Sequence, residues 1–211
     1  MSRSLFAGAL ISVALVAASV THAQVGKGIL DANLVPEAEL ATLAPGMTPA
    51  IAKALVAARP FASIVDLNKF LVDQKLTKEQ IDAFYQKAFV HVNLNTATGE
   101  EILLIPGAGK RMAREFPEYR PWKTWAQFDK EISKYVGQPE TDRLKKYVFI
   151  PVNLNTATDE DIISIPGAGT RMVHEFKEYR PWKTKEQFQK EIGKYVDARE
   201  VARLWRFVVI E

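Results

Sequence analysis

The chain contains no cysteine, which excludes disulfides, thiolate metal sites, Cys-X-X-Cys redox chemistry and covalently attached haem. Histidine is almost as scarce, with three in 211 residues. One of these, His22, lies in a segment expected to be removed, so a histidine-rich metal site is not expected. No charge of one sign dominates: 28 Lys and Arg against 25 Asp and Glu leave a net +3, in spite of a pI near 9.0. No Ser/His/Asp order, Walker loop or metal-ligand spacing is present. Paired acids such as Glu100-Glu101 are explained by the partial positive charge of a helix start. These absences argue against an enzyme and against a cofactor or metal. What is there, 47% hydrophobic and 25% charged, is the balance of a folded chain rather than of a disordered one.

The one long apolar run is at the beginning. Arg3 precedes Leu5–Val20 (LFAGALISVALVAASV), which ends in Thr21-His22-Ala23 with small residues at the two positions a signal peptidase reads. An uncleaved membrane anchor is the alternative, but a spanning helix needs roughly 20 apolar residues, and this run is shorter. The expectation is a signal peptide over residues 1–23 and a linker over 24–31. The mature chain would then be periplasmic or secreted, without a stable transmembrane span.

Internal repetition is the strongest signal. Val92–Pro151 and Val152–Glu211 align without a gap, and 38 of the 60 aligned positions are identical. VNLNTAT recurs at Val92 and Val152, IPGAG at Ile105 and Ile165, and EYRPWKT at Glu118 and Glu178. A divergent copy over residues 32–91 is suggested by Asn33-Leu34 against Asn93-Leu94, Pro45-Gly46 against Pro106-Gly107, and Arg59-Pro60-Phe61 against Arg120-Pro121-Trp122. The expected domains are therefore 32–91, 92–151 and 152–211. A unit of this size is marginal alone, so packing between units or on a partner is expected.

Within a unit the pattern is helical. Thr98 with Glu101 and Thr158 with Asp161 read as capping boxes, and Pro106-Gly107 ends the first helix. Met112, Phe116 and Tyr119 then fall on one helical face, until Arg120-Pro121 stops the run. Thr124 and Gln127 read as another capping box before the stripe Phe128, Ile132 and Tyr135, and a fourth helix opens near Pro139. The fold class expected is all-α. Trp122 and Trp182 read as core plugs, Trp125 and Trp205 are ambiguous, and His91 and His174 read as surface residues.

The candidate site is the tight glycine turn between the first two helices of a unit: Gly107, Ala108, Gly109, Lys110 and Arg111, repeated as Gly167, Ala168, Gly169, Thr170 and Arg171. Glycine permits positive φ and lets a ligand approach the backbone. Amides at the start of the following helix favour an anion such as a phosphate oxygen. Such a cradle positions a nucleic acid without reading its sequence. The structural alternative is that the glycines only allow two helices to approach closely.

Taken together, Asn-Leu-Asn-Thr-Ala-Thr, an acidic pair, Ile-Pro-Gly-Ala-Gly and Glu-Tyr-Arg followed by an aromatic resemble the helix-hairpin-helix domain of the ComEA type. The resemblance implies three tandem mini-domains of about 60 residues, exported, non-catalytic and bound to the phosphates of double-stranded DNA during natural transformation. It also implies two hairpins per domain, each with a Gly-hydrophobic-Gly turn, and a weaker site at Gly46, Met47 and Thr48. The sequence departs from that pattern at the second hairpins, Tyr135-Val136-Gly137-Gln138-Pro139 and Tyr195-Val196-Asp197-Ala198-Arg199. Neither keeps Gly-x-Gly, and Asp197 would repel a phosphate. Val92–Pro151 carries 10 basic and 8 acidic residues, Val152–Glu211 10 and 10, and Gln24–His91 7 and 7, where a nucleic-acid module usually shows a basic face. Arg143, Lys145 and Lys146 fit either a DNA face or a solvated one. Two functions remain open: non-specific DNA binding, or a structural or interaction module with another exported or envelope protein as partner.

Overall fold

The computed structural model describes residues 28–211; the expected signal peptide and the first part of the expected linker lie outside the described residues. Three successive stretches are each closed by two parallel strands of two residues. β1 (Leu30–Asp31) pairs with β2 (Ala88–Phe89), β3 (Val92–Asn93) with β4 (Val148–Phe149), and β5 (Val152–Asn153) with β6 (Val208–Val209). Parallel partners need a long crossover, and four helices supply it each time. The first unit has α1 (Glu37–Leu40), α2 (Pro49–Ala58), α3 (Ile64–Asp73) and α4 (Lys78–Tyr85). The second has α5 (Gly99–Leu103), α6 (Gly109–Glu118), α7 (Trp125–Val136) and α8 (Gln138–Leu144), followed by a 3₁₀ turn over Lys145–Tyr147. The third has α9 (Asp159–Ile163), α10 (Thr170–Glu178), α11 (Lys185–Ile192) and α12 (Ala198–Trp205). The described chain is thus mostly helical. None of its helices is long and apolar enough to cross a membrane.

Local chemistry explains most helix starts. Thr98 with Glu101 and Thr158 with Asp161 form complete capping boxes. Thr124 caps α7 by accepting from Gln127 N, but the return bond differs from the expected one: Gln127 Oε1 accepts from Lys123 N at 3.0 Å. The glutamine amide instead donates to the carbonyls of Tyr119 and Pro121, where the chain turns through a cis Arg120-Pro121 peptide.

The residue after each of these prolines anchors its unit. Trp122 and Trp182 are buried, and their indole Nε1 donates to the carbonyls of Phe116 at 2.8 Å and Phe176 at 2.7 Å. Asn95 brackets Trp122, accepting from its amide and donating to its carbonyl, and Asn155 does the same for Trp182. In the first unit Asn33 grips Phe61 in this way, at 2.8 and 3.2 Å. Its amide in turn donates to Asp31 Oδ1, as the Asn95 amide does to Asn93 Oδ1. Asn33 therefore corresponds to Asn95 and Asp31 to Asn93, two residues away from the Asn-Leu match read in the sequence. Leu30 and Asp31, assigned to the linker, are strand residues of the first unit. Letter identity misled here because the role belongs to an asparagine two residues beyond the strand pairing.

The units pack on one another unequally. Those of the first and second share one apolar cluster, with Phe89 edge-on to Tyr147 at 5.1 Å and α3 against α5. The third has its own cluster, linked through Phe149 and Phe207 at 4.6 Å. Leu104 is half-buried against the shared core, whereas its counterpart Ser164 is exposed, so the near-identical units differ where only one has a neighbour. His91, read as a surface residue, is completely buried, because the segment between β2 and β3 lies under the third unit: its carbonyl accepts from Arg206 Nη2 at 2.9 Å. His174 is exposed and lies 3.0 Å from Glu178.

Candidate functional site

The turns at Gly107 and Gly167 are built alike but not identically. Gly107 and Gly109 have φ of 77° and 63°, and Gly167 has 74°, the left-handed region that favours glycine. Gly169 is extended, at φ −97°. The Ala108 and Ala168 amides donate back to the carbonyls of Ile105 and Ile165 at 3.1 and 3.0 Å, and both alanine side chains are buried. These two residues close the turn, and their amides are spent inside it rather than turned outward as expected. The amides that remain are those of the first helical turn, at Gly109, Lys110 and Arg111 in α6 and at Thr170 and Arg171 in α10, since a helix start leaves its first donors without intrahelical partners.

One side of each turn is covered. A Cβ at Gly107 would fall 2.7 Å from Arg143 Nη2, and one at Gly167 would fall 3.0 Å from Arg203 Nη2 and 3.1 Å from Leu34 Cδ1. Arg143 and Arg203 are held there by paired bonds to Glu140 and Glu200. The other side is open: nothing lies within 4 Å of a Cβ built on Gly109 or Gly169, and Lys110, Arg111, Thr170 and Arg171 are exposed. Arg111 reaches the Tyr135 carbonyl at 3.3 Å, and Arg171 lies 4.8 Å from the Tyr195 ring.

The first unit closes its own turn. Gly46 has φ 84°, and a Cβ there would meet the Gln80 side chain at 2.5 Å. Met47 is buried, Thr48 accepts from Ile51 N at 3.2 Å, and Pro49 has no amide hydrogen. Gly46, Met47 and Thr48 therefore offer no counterpart to the other two turns. Where the resemblance would put second hairpins there are side-chain caps: Thr77 caps α4 and the Asp197 carboxylate caps α12, accepting from Glu200 N at 2.8 Å. Two of the three basic residues left open by sequence are ion-paired, Arg143 with Glu140 and Lys145 with Asp129 and Asp142.

Sequence reading did not anticipate the groove beside the second turn. Val72, Leu76, Ile81 and Tyr85 of the first unit face Leu103–Gly107 of the second across it, and Val72 and Leu103 are each about half exposed. It depends on how two units meet, for which a single unit's periodicity carries no signal. No His, Asp and Glu group placed to hold a metal occurs among the described residues. No family model, curated protein or solved structure matches this chain.

Proposed function

We propose that this is an exported, non-catalytic protein of three tandem helix-hairpin-helix units that binds double-stranded DNA without sequence preference, docking phosphate oxygens on the amino ends of α6 and α10. The observation that carries the reading is a contrast in capping. Of the eight described helices with eight or more residues, α2, α3, α4, α7, α11 and α12 each receive a side-chain cap, and α6 and α10 receive none. The uncapped pair are the helices that follow the repeated glycine turns. The space beside Gly109 and Gly169 at these helix starts is open, and an external anion there supplies what a Ser, Thr or Asp supplies elsewhere.

Fluorescence anisotropy with a short duplex across a salt series tests this. Engagement of about four phosphates gives a slope of log K against log salt near −3.6. Changing Gly109 and Gly169 together to Asp puts a carboxylate at both helix starts, where it occupies the donors and repels phosphate. Binding should fall at least tenfold, and unchanged binding by a folded double variant rules the mechanism out. One observation favours a second reading, a protein-interaction module: the Glu140 and Glu200 carboxylates stand beside the turns, and the apolar groove opens next to Gly107. Recovery of a stoichiometric protein partner, with no DNA retained at low salt, would support it.

A further inference from the structure

Where the third unit meets the first, charged side chains are buried without full pairing. Asp31 and Arg203 are 1% and 2% exposed, with Asp31 Oδ2 3.7 Å from Arg203 Nη1, too long for a hydrogen bond. Glu200 takes Nε and Nη2 of Arg203, and the His91 carbonyl takes Nη2 of Arg206. Left over and sealed from solvent are Arg203 Nη1, Arg206 Nη1, Arg59 Nε and Nη2, and Asp31 Oδ2. Asp31 acts electrostatically on Arg59 and Arg206 as well as lying opposite Arg203. Glu101 and Asp66 also act on Arg206, but their carboxylates are engaged as cap acceptors for Thr98 N and Ser63 N.

Arg59 shows how unusual this is. Its counterparts Arg120 and Arg180 spend the same Nε and Nη2 on the carbonyls of Leu94 and Ala97, and of Leu154 and Ala157, at 2.6–2.7 Å. Only in the first unit are these donors unused, beside a carboxylate where the other units carry Asn93 and Asn153. Burial lowers the Arg59 pKa to about 10, against the opposing pull of Asp31.

We propose that this seam binds a protonated phosphate, inorganic or a monoester, held by Arg59, Arg203 and Arg206 and by Asp31. The unpaired set is four donor nitrogens and one acceptor oxygen. Hydrogen phosphate is its complement, with oxygens that accept from guanidinium N–H groups and one hydroxyl that donates to Asp31 Oδ2. Sulfate has no proton to give at neutral pH and meets the Asp31 carboxylate as a like charge. A DNA phosphodiester also lacks the hydroxyl, so this site is distinct from the hairpins. Because the donors come from the first and third units, the bound ion ties the two together.

The test is calorimetric titration and thermal melting of the full mature chain in inorganic phosphate, glycerol phosphate, sulfate or chloride at matched ionic strength. Phosphate at 100-fold its Kd should raise the midpoint by about 5–11 °C, saturably, with sulfate at least tenfold weaker. Glycerol phosphate matching inorganic phosphate shows that the site accepts monoesters, and a lack of effect restricts it to the free ion. Arg59→Met removes donors that no protein acceptor takes, so it should abolish the phosphate response, read as the difference between phosphate and chloride for the same variant, because losing a cation that acts on Asp31 shifts the midpoint in both. Asp31→Asn should level phosphate and sulfate. Equal, unsaturable effects of both anions, or an Arg59→Met variant that still responds to phosphate, overturn the proposal. The double Gly109→Asp, Gly169→Asp variant should keep the response. If that variant alone loses it, phosphate sits on the hairpins and the seam proposal fails while the DNA reading stands.

Discussion

At the scale of single residues, the asparagine–aromatic clamp carries much of each unit. Trp122→Ala removes a buried indole together with its bond to the Phe116 carbonyl and should cost about 3–5 kcal/mol in urea unfolding. Asn95→Ala leaves the Trp122 amide without its acceptor and should cost about 1–3 kcal/mol. If the two cost the same, the clamp rather than the ring would be the anchor. The glutamate beside the second turn adds a pH dependence. Its bonds to Arg143 hold the Glu140 carboxyl below the usual glutamate range. A lowered folded value means that the stabilisation is present at neutral pH and disappears as pH falls below about 4.3 and through the folded value. With both groups about a third exposed, the pair is worth at most about 1 kcal/mol. The amide shift of Gly107 followed by NMR should move over that acid window, and Glu140→Gln should remove the movement. Trp122 was legible as a core plug because an aromatic after a helix stop has little else to do. The buried state of His91 was not, because it arises from a neighbour more than a hundred residues away.

At the scale of elements, capping chemistry made the helices readable. A Thr three residues before an acid announces a helix start by itself, and so α5 and α9 begin where their boxes place them. Asp197 caps the helix it opens, its carboxylate accepting from Glu200 N. What sequence did not convey was the division of labour inside the glycine turn. Whether Ala108 or Lys110 offers a free amide depends on the path of the backbone, and letters such as Gly-Ala-Gly permit several. The extended Gly169, with open space around it, yields an element-scale prediction. Gly169→Asp alone adds a cap and a favourable dipole interaction to α10 and restricts the unfolded chain, for a gain of about 0.5–1 kcal/mol in urea unfolding. DNA affinity should fall in the same variant. Stability and binding rising together would mean that the α10 amides are not the contact.

At the scale of the whole molecule, repetition hides an asymmetry. The second and third units share most of their residues, yet the second is fused to the first by a common apolar core, while the third meets the first across buried, partly unpaired charge. Apolar burial is favourable in proportion to the area removed from water, whereas a buried ion pair roughly breaks even against desolvation. The third unit should therefore be the less firmly held. Native-state hydrogen exchange should resolve residues 28–151 as one cooperative unit and 152–211 as a second that opens at lower free energy. Arg203→Ala takes away the cation within 4 Å of the buried Asp31 carboxylate and should lower the opening free energy of 152–211 by up to about 3–5 kcal/mol, less where Arg59 and Arg206 still act on it, with residues 28–151 little affected. Uniform loss of protection along the chain would show instead that the three units unfold as one body. The asymmetry was not legible in the repeats, since identical letters describe one unit's interior and say nothing about which neighbour its surface meets; only substitutions such as Leu104 to Ser164 marked it, and they acquire that meaning once the partner is known.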